Sequence, residues 1–534
     1  MNKIFKRLIE QRGFSEEFLS PKYEKLADPF ELPDMEAAIL RIVAAISNEE
    51  KILIYGDYDV DGVTASTVLS DALSLAGAKD VDIMLPDRFV DGYGMSPKII
   101  ERAKEKGVSL VVTVDCGSAN AEIVEELKIN GIDVVVTDHH ECPDVLPDAV
   151  AVVNPKRKDY DGFRNLAGVG VAFKVAQGLV FRGKIPAGQE KWLLDLVLIG
   201  TICDNMPLNG ENRTLGFYGV KVLEKTRRPG LLELMHLANV KKINAETIGF
   251  QIGPRLNAAG RIESADLALD LLRAKTRAEA AGLAQKLEIL NSERKEQQRA
   301  AVKEIDERGV SEEPVIIETG KWHEGILGII AGRLVEKYHK PTFVLSEVTD
   351  GIFKGSGRSF GDFNLAEALD ECRDLLINGG GHAGAAGVKL EREKLYAFRE
   401  RMNEYYRSLN LIEQEKYLYV HEDLCVDDFD DLSMSLIEEL KQLEPFGEGN
   451  TEPIFKLENV EIDEVRKMGA DEQHLCLIVR DRNGNKMKLV AFYAPREWLE
   501  AQTGEEWNIL IQAAENEWNG VCSIEGRIVD MFKM

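Results

Sequence analysis

The segment from about residue 50 to 210 alternates short apolar runs with stretches of helical character. The apolar runs are rich in Val and Ile and read KILIYG, VDIMLP, LVVTVDCG, DVVVTDHH and AVAVVNP. A strand buried on both faces of a parallel sheet has this unbroken apolar pattern, whereas a half-exposed strand alternates apolar and polar residues. The pattern therefore predicts an α/β domain built on a parallel sheet.

Helical spacing dominates the middle of the chain. Leu283, Leu287 and Leu290 recur at helical intervals in RAEAAGLAQKLEILNSERKEQQRAAVKEIDERG, and charged residues surround them. This pattern predicts one long helix that connects two bodies. A second α/β unit is predicted to begin with the strand-like run PVIIETG and to extend from residue 312 to 408.

The last part of the chain shows shorter, alternating runs, namely KLENVEIDEVRK, HLCLIVRD and KMKLVAFYA, with the turn RNGN between the last two. Such runs predict a small β-barrel of the OB type. The predicted bodies are an N-terminal segment with the first α/β domain (1–215), a helical linker region (216–311), the second α/β domain (312–408) and the barrel (415–534).

Acidic residues collect where the predicted strands end. Asp57, Asp59 and Asp61 follow the first strand in YGDYDVDGVTAS, and Asp115 follows the third. The carboxyl ends of parallel strands form the ligand-binding edge of such a sheet. The order D-x-D-x-D-G also opens a calcium-binding EF-hand loop, but that loop requires a Glu at its twelfth position, where this chain has Val68.

A metal site explains this concentration of charge better than calcium loop chemistry does. The candidate ligands are Asp59, Asp61, Asp115, His139 and Asp204. Carboxylate oxygens with one imidazole suit Mg²⁺ or Mn²⁺, and two ions roughly 3.5 to 4 Å apart can displace a phosphate ester in line. A single Asp of this kind is more often a helix cap, so the prediction depends on their convergence. The neighbouring His140 is a candidate phosphate contact or proton donor.

A second anion site is predicted in the 312–408 unit. The segment GGGHAGAAG, residues 379–387, is expected to form a loop whose glycines let the backbone approach a phosphate, with His382 as a donor. Glycine-rich loops are common, so this motif alone is weak. Arg358 in SGRS strengthens it, because a guanidinium can bind a phosphate with two parallel hydrogen bonds.

Composition restricts the class of protein. No apolar run approaches the ~20 residues that span a bilayer, and the start MNKIFKRLIEQRGF lacks a signal-peptide core, so we expect a cytoplasmic protein. Seven scattered cysteines without a C-x-x-C pair indicate neither a disulfide framework nor a cysteine zinc site. The net charge of -26 argues against a nucleic-acid partner unless divalent cations neutralise the acids and basic residues are concentrated locally.

The chain resembles the DHH phosphoesterase family at these same motifs. YGDYDVDGVTAS, TVDCGSAN, TDHHE and GTICDNMPL are similar to its four phosphoesterase motifs, and GGGHAGAAG resembles the hallmark of its DHH-associated domain. GPRLNAAGRI, WHEGILGIIAGRL and LEPFGEGNTEPIF are similar to segments of the family's bacterial exonucleases specific for single-stranded DNA. The resemblance implies a 5′ to 3′ exonuclease of DNA repair and recombination that releases mononucleotides. It also implies two partners, a single-stranded-DNA-binding protein and a RecQ-type helicase.

The resemblance implies residue roles as well. Asp59 would hold one metal ion, Asp61, His139 and Asp204 would hold the other, and Asp115 would bridge them. We expect Asp57 to orient these ligands. The implied substrate contacts are Arg88 at the scissile phosphate, His323, Ser356, Arg358 and His382 around phosphate groups in a cleft, and Arg255, Asn257 and Arg261 along the strand.

Two other functions stay open at this point. A DHH phosphodiesterase for short oligonucleotides or cyclic dinucleotides would share the metal site, but such proteins are usually shorter or carry membrane or sensory segments, and they lack a terminal barrel. An inert scaffold would keep the fold and bind single strands or a replication partner, but intact ligands at all five positions argue against it. Digestion of a long 5′-labelled strand beside a dinucleotide would distinguish the three.

Overall fold

The computed structural model describes residues 1–92, 94–409, 411, 421–469, 471–518 and 521–533. The chain divides into two compact units. The α/β unit comprises residues 28–204 and 222–417, and the barrel unit comprises residues 1–27, 205–221 and 418–534. The structure thus differs from the prediction of one body over 1–215, because two parts of that stretch belong with the barrel. The predicted start of the barrel at residue 415 lies outside the described residues.

The first sheet of the α/β unit has five parallel strands in the order β2-β1-β3-β4-β5. They are β1 (Ile52–Tyr55), β2 (Val81–Met84), β3 (Leu110–Thr113), β4 (Asp133–Thr137) and β5 (Ala151–Val153). Every residue of β1 and β3 is buried, which confirms the parallel sheet predicted from unbroken apolar runs. Tyr55 pairs with Thr113, and Thr113 pairs with Val136, so the residues after β1, β3 and β4 leave the sheet at one edge.

Helices cover this sheet and continue beyond it. The helices up to residue 203 in the α/β unit are α3 (Met35–Ser47), α4 (Val60–Leu75), α5 (Lys98–Lys106), α6 (Ala121–Ile129), α7 (Gly168–Phe181) and α8 (Leu194–Cys203). The α4 helix packs against both α7 and α8. Since α4 and α7 are apolar or small along most of their length, nearly all of their residues are buried.

A helical region joins the two sheets of the α/β unit. It comprises α10 (Pro229–Leu237), α11 (Ala245–Thr247), a π-helical turn (Ile248–Ile252), α12 (Gly253–Ile262), α13 (Asp266–Arg273) and α14 (Arg277–Arg308). The 32-residue α14 confirms the predicted long helix. It begins after Thr276, whose side chain accepts a hydrogen bond from the Glu279 amide, and Leu287 and Leu290 face its buried side. Within the described part of the chain, no helix is both long and apolar enough to cross a membrane.

The second sheet is mixed, with strand order β6-β7-β8-β10-β9. Its strands are β6 (Ile316–Gly320), β7 (Thr342–Thr349), β8 (Ile352–Arg358), β9 (Asn378–Gly381) and β10 (Ala385–Glu391), and its helices are α15 (Leu327–Tyr338), α16 (Leu365–Glu371) and α17 (Leu395–Ser408). The segment 379–387 was expected to be a phosphate-binding loop. The structure corrects this expectation, because the segment forms the β9–β10 hairpin. A Cβ on Gly381 would lie 2.3 Å from the Ala385 carbonyl oxygen, so glycine permits the close approach of the two strands.

The barrel unit closes five strands into a ring, β12-β13-β14-β16-β15, because β15 also pairs with β12. Its strands are β11 (Leu424–Val426), β12 (Phe455–Met468), β13 (His474–Arg480), β14 (Lys486–Ala491), β15 (Glu506–Trp518) and β16 (Val521–Phe532), and its helices are α1 (Lys3–Gln11), α2 (Glu16–Leu19), most of α9 (Gly210–Leu223), α18 (Met434–Leu440) and α19 (Arg496–Leu499). Ile4, Phe5 and Leu8 of α1 pack into the barrel core, which explains why the N-terminus belongs to this unit.

Candidate metal centre and anion site

The carboxylates predicted as metal ligands converge at the edge of the first sheet. Asp57, Asp59 and Asp115 offer ligand oxygens that all lie within 4.8 Å of one another. Asp61, His139 and Asp204 form a second group of the same tightness. His139 Nε2 lies 3.0 Å from Asp115 Oδ1, which links the two groups. The acid centre, as we call these six residues, therefore contains all five predicted ligands and adds Asp57 to them.

Backbone geometry holds two of these side chains in place. Asp61 Oδ2 accepts a hydrogen bond from the Gly168 amide at 2.6 Å, and Asp61 Oδ1 accepts one from the Val169 amide at 2.9 Å. Both donors belong to the first turn of α7, whose positive end favours a carboxylate. Asp115 has a φ of 60°, an uncommon conformation for a residue other than glycine. A Cβ on Gly168 would lie 2.5 Å from Asp115 Cβ, so glycine is required at this contact.

Burial and like charge leave the acid centre incomplete without cations. Burial, together with the charge of Asp59, raises the pKa of Asp61 to about 7. Burial and the charges of Asp61, Asp59 and Asp57 raise the pKa of Asp204 to about 9. The pKa of Asp115 also lies well above its ordinary value, first because the group is buried and then because four carboxylates surround it. A bound cation would remove both causes, because it supplies the missing positive charge.

Unsatisfied atoms show that the centre fits a metal. Asp57 Oδ1, Asp115 Oδ1, Asp204 Oδ2 and His139 Nε2 are buried and form no hydrogen bond among the described residues, because the 3.0 Å contact between His139 Nε2 and Asp115 Oδ1 lacks hydrogen-bond geometry. Buried polar atoms are rarely left without a partner unless an ion or water completes the site. Burial lowers the pKa of His139 to about 3, so its ring is neutral and able to donate a lone pair. Carboxylates with one neutral imidazole match Mg²⁺ or Mn²⁺.

His140 has a different environment from its neighbour. Its Nδ1 lies 2.9 Å from Asp138 Oδ1, and Asp138 also accepts hydrogen bonds from the amides of Ser118, His139 and His140. Burial alone would lower the pKa of His140, but the hydrogen bond and charge of Asp138 outweigh it and raise the pKa. The sequence predicted His140 but gave Asp138 no role. Asp138 is the residue that orients the ring and favours its protonated form.

Beside the acid centre, the structure brings together four guanidinium groups, which we call the arginine group: Arg88, Arg261, Arg294 and Arg358. Burial and the charges of its three neighbours lower the pKa of Arg261 to about 9. Burial likewise lowers the pKa of Arg294 and of Arg358. No member of the group forms an ion pair with a carboxylate in the part of the chain that the structure describes. An external anion would offset this concentration of positive charge.

Glycines in the predicted motifs allow this convergence. A Cβ on Gly325 would lie 2.0 Å from the Arg261 carbonyl oxygen, and a Cβ on Gly328 would lie 2.9 Å from Arg358 Nη2. Gly260 approaches the Tyr58 carbonyl oxygen in the same way, at 2.8 Å. The segment GPRLNAAGRI therefore packs α12 against the loop that carries the acid centre, and WHEGILGIIAGRL packs against α12 and Arg358.

The remaining predicted substrate residues have varied surroundings. Arg88 lies over the Tyr58 ring at 5.0 Å, and the exposed ring of His323 contacts Phe89 with 5.2 Å between ring centroids. Ser356 Oγ accepts a hydrogen bond from Arg358 Nη1 at 3.1 Å. Asn257 is half-buried on α12, and His382 is exposed in the β9–β10 turn.

Arg255 differs from the expectation of a strand contact. Its guanidinium donates to both carboxylate oxygens of Glu288 and to the Gln251 carbonyl oxygen. Because these bonds hold α12 to α14, they turn the charge towards the helix packing rather than towards an open surface. Arg294 is the residue that sequence reasoning missed. It lies on the charged helix α14, where no motif separates it from other basic residues.

The fold and the acid centre define a DHH phosphoesterase with its associated domain. Residues 51–201 match the model of the DHH family N-terminal domain, residues 312–408 match the DHHA1 domain, and residues 425–530 match the RecJ OB domain. The chain belongs to the RecJ family of single-stranded-DNA-specific exonucleases.

Named relatives and solved structures are similar to most of the chain. The chain is 39% identical to RecJ of Bacillus subtilis over 96% of its own length and 66% of that protein's length. It is 34% identical to RecJ of Haemophilus influenzae over 86% of its own length and 84% of that protein's. The crystal structure of Thermus thermophilus RecJ with Mn²⁺ matches the chain with a TM-score of 0.86 at 30% identity. The match covers all of this chain and 76% of the Thermus chain. The same Thermus protein has also been solved with Mg²⁺.

Proposed function

We propose that the chain degrades single-stranded DNA from its 5′ end and releases 5′-mononucleotides by two-metal hydrolysis, in DNA repair and recombination. The observation that carries this proposal is the adjacency of the acid centre and the arginine group in one unit. Asp59 lies close enough to Arg261 to stabilise its charged form. A phosphodiester between the two clusters would meet cations on both sides, those bound by the acids and those of the arginines.

The residues divide into two metal sites. Asp57 and Asp59 would hold one ion, Asp61, His139 and Asp204 would hold the other, and Asp115 would serve both, because its oxygens belong to two of the tight ligand groups. Bound divalent cations supply Lewis-acid chemistry to a phosphodiester and lower the pKa of water. The α7 amides fix the Asp61 carboxylate, and Asp138 fixes His140, so the protein orients the groups around the reacting phosphate.

His140 is the group suited to move a proton or to neutralise charge. Asp138 raises the pKa of its imidazole, and the ring lies beside Asp115, with 3.9 Å between His140 Nδ1 and Asp115 Oδ1. A cationic ring near the scissile phosphate can stabilise developing negative charge or donate a proton to a leaving oxygen. No nucleophilic side chain is needed in this scheme.

The 5′ to 3′ direction follows the family resemblance, and the arginine group offers a physical basis for it. A terminal 5′-phosphate carries more negative charge than an internal diester. Arg358, oriented by the Ser356 hydroxyl and the Gly357 carbonyl oxygen, supplies a half-buried and planar donor for such a group. We therefore assign the terminal phosphate to Arg358 and Ser356.

The barrel unit offers a surface of the kind that binds single strands. Phe492 and Tyr493 are 65% and 74% exposed, and both rings contact His474, with centroids 5.5 and 4.8 Å apart. Exposed aromatic rings on OB barrels stack nucleic-acid bases, and each stacked base contributes about 1 to 3 kcal/mol. Replacing both residues by Ala should weaken binding to long strands. Tyr396→Ala, at an equally exposed tyrosine of the α/β unit, is the matched control.

A time course on labelled DNA tests the function. A single strand labelled at its 5′ end should release its label at once as mononucleotide, whereas the same strand labelled at its 3′ end should shorten progressively. The duplex and a dinucleotide should be poor substrates. Preferred cleavage of the dinucleotide would favour the oligonucleotide phosphodiesterase, and binding without cleavage would favour the scaffold. Retention of a single-stranded-DNA-binding protein or a RecQ-type helicase on the immobilised chain would test the proposed partners.

A further inference from the structure

A cavity of about 290 Å³ lies at the ends of α4 and α8 that are remote from the acid centre. Asp71, which lines it, follows Asp61 by ten residues on α4, a separation of about 15 Å at 1.5 Å per residue. Asp195 lines it near the start of α8, whereas Asp204 follows the end of that helix. The cavity is therefore separate from the proposed catalytic centre, and the reaction described above does not use it.

The lining of the cavity is basic in a chain with a net charge of -26. Its charged residues are Arg227, Arg228, Arg273, Lys275, Asp71 and Asp195. Arg228 is neutralised, because it donates to Asp71 at 2.7 Å and to Asp195 at 3.2 Å. The other three basic side chains form no ion pair with a carboxylate among the residues that the structure describes. Four basic side chains and two carboxylates leave the lining of this small cavity with a net charge of +2.

Two further features of the lining favour a flat or anionic ligand. The Arg227 guanidinium lies 3.9 Å from the centroid of the Trp192 ring, so a stacked cation and an aromatic ring share one wall. Pro229, the first residue of the nine-residue helix α10, also lines the cavity. The positive end of that helix's dipole therefore adds to the side-chain cations.

We propose that this cavity binds a phosphomonoester of mononucleotide size. A phosphomonoester carries nearly two negative charges and three acceptor oxygens, which suits several converging cations better than a carboxylate would. The volume lies near the lower limit of ligand sites, roughly 300 to 1,000 Å³, so a small molecule fits it and a strand does not. The choice of a nucleotide as the ligand rests on the proposed function, because that reaction releases nucleotides. The assignment of a phosphate site does not rest on the proposed function.

Hydrogen exchange of the full-length chain tests the site without any measurement of nuclease activity. The probes are inorganic phosphate, dAMP, deoxyadenosine and a twelve-residue oligothymidylate with a 5′-hydroxyl. At a phosphate concentration ten times its dissociation constant, amides in segments 228–231 and 272–276 should exchange about tenfold more slowly. dAMP should protect the same segments, and deoxyadenosine and the oligonucleotide should not.

Matched variants complete the test. Arg273→Ala with Lys275→Ala should abolish this protection, and both residues are exposed, so the fold should survive. Lys286→Ala with Lys303→Ala removes the same charge from exposed positions on α14 outside the cavity, and should retain the protection. Protection that persists in the cavity variant, protection by the oligonucleotide instead of phosphate, or no protection by 10 mM phosphate would each overturn the proposal. A chain without nuclease activity would leave these readings unaffected.

Discussion

The acid centre and the arginine group are two clusters of like charge in one unit, and they differ in how the chain builds them. The acids follow the ends of β1, β3 and β4 and the end of α8, so an ordered sheet edge collects them. The arginines come from the loop after β2, from α12, from α14 and from β8, and glycine contacts bring α12 and β8 close to the start of α15. Both clusters are unfavourable alone, because burial removes solvent from like charges. Under the proposed function, bound cations complete the first cluster and the substrate completes the second.

Removing Asp115, the ligand shared by both proposed metal sites, should distinguish the roles of the acid centre and the arginine group most clearly. Asp115→Ala should reduce kcat/KM on a 5′-phosphorylated strand by about a thousandfold or more, near 4 kcal/mol, because both metal sites lose a ligand. Binding of the strand, measured by fluorescence anisotropy, should persist through the arginine group. Asp148→Ala, at an exposed acid paired with Lys128, is the matched control. Full activity of Asp115→Ala in saturating Mn²⁺ would refute the bridging assignment.

The sequence predicts the acid centre better than the arginine group, for physical reasons. Unbroken apolar runs predict the parallel sheet, and the polar residues that follow these runs must meet at its edge. The local pattern was therefore enough to predict Asp59, Asp61, Asp115 and His139 as ligands. Asp204 was predicted with them, although it follows helix α8 and not a strand. Arg294 could not be found, since its partners in the arginine group lie on elements far apart in the chain and α14 carries many other basic residues.

The surroundings of individual side chains were harder to predict than their positions in the fold. Arg255 and Arg261 stand in the same motif on α12, but the first pairs with Glu288 and the second joins the arginine group. Asp57 and Asp59 stand two residues apart, and only the structure shows that Asp57 has a buried oxygen without a partner. The hairpin at 379–387 was expected as a loop, because glycine permits both close strand pairing and open turns.

Stability without metal should depend on pH through the acid centre. The raised pKa values of Asp61 and Asp204, about 7 and about 9, mean that the folded chain binds more protons than the unfolded chain between pH 4 and pH 9. The free energy of unfolding should therefore fall as the pH rises through this window. In EDTA we expect the melting temperature to decrease by several degrees as the pH rises, at about 1 °C per kcal/mol for a unit of this size.

Adding Mn²⁺ should reverse this dependence, because the ion binds the ionised carboxylates and stabilises the folded chain more at high pH. Asp204→Asn should flatten the EDTA profile between pH 7 and pH 9, since it removes the group that titrates highest. Calorimetry at a series of pH values measures both effects. A metal-free melting temperature that rises towards pH 9 would contradict the account of the acid centre as a cluster completed by cations.

On the arginine side, Arg358 should govern recognition of the strand's end. Arg358→Ala should reduce kcat/KM for a 5′-phosphorylated strand by roughly tenfold to a hundredfold, and reduce it less for a 5′-hydroxyl strand, because a charged hydrogen bond contributes about 1.5 to 3 kcal/mol. Arg358→Lys should recover only part of the difference, since an ammonium group cannot form two parallel bonds. Arg333→Ala, at an exposed arginine of α15, is the control. Equal losses on both substrates would make Arg358 a general strand contact.

Arg294 should show the smallest effect and the sharpest contrast with the acids. Its guanidinium is desolvated and donates only to Asn291 Oδ1 among the bonds that the structure records, at 3.0 and 3.3 Å. Arg294→Ala should weaken binding of single strands about fivefold, near 1 kcal/mol, and lower the slope of log affinity against log salt by about 0.7. The preference for a 5′-phosphate should not change.

Since burial disfavours the charge of Arg294 in the free protein, the variant should melt at the same temperature as the wild type or higher. Arg299→Ala, an exposed position on the same helix, should leave affinity and slope unchanged. A lower melting temperature with unaltered DNA affinity would show that Arg294 stabilises α14 and does not contact the strand.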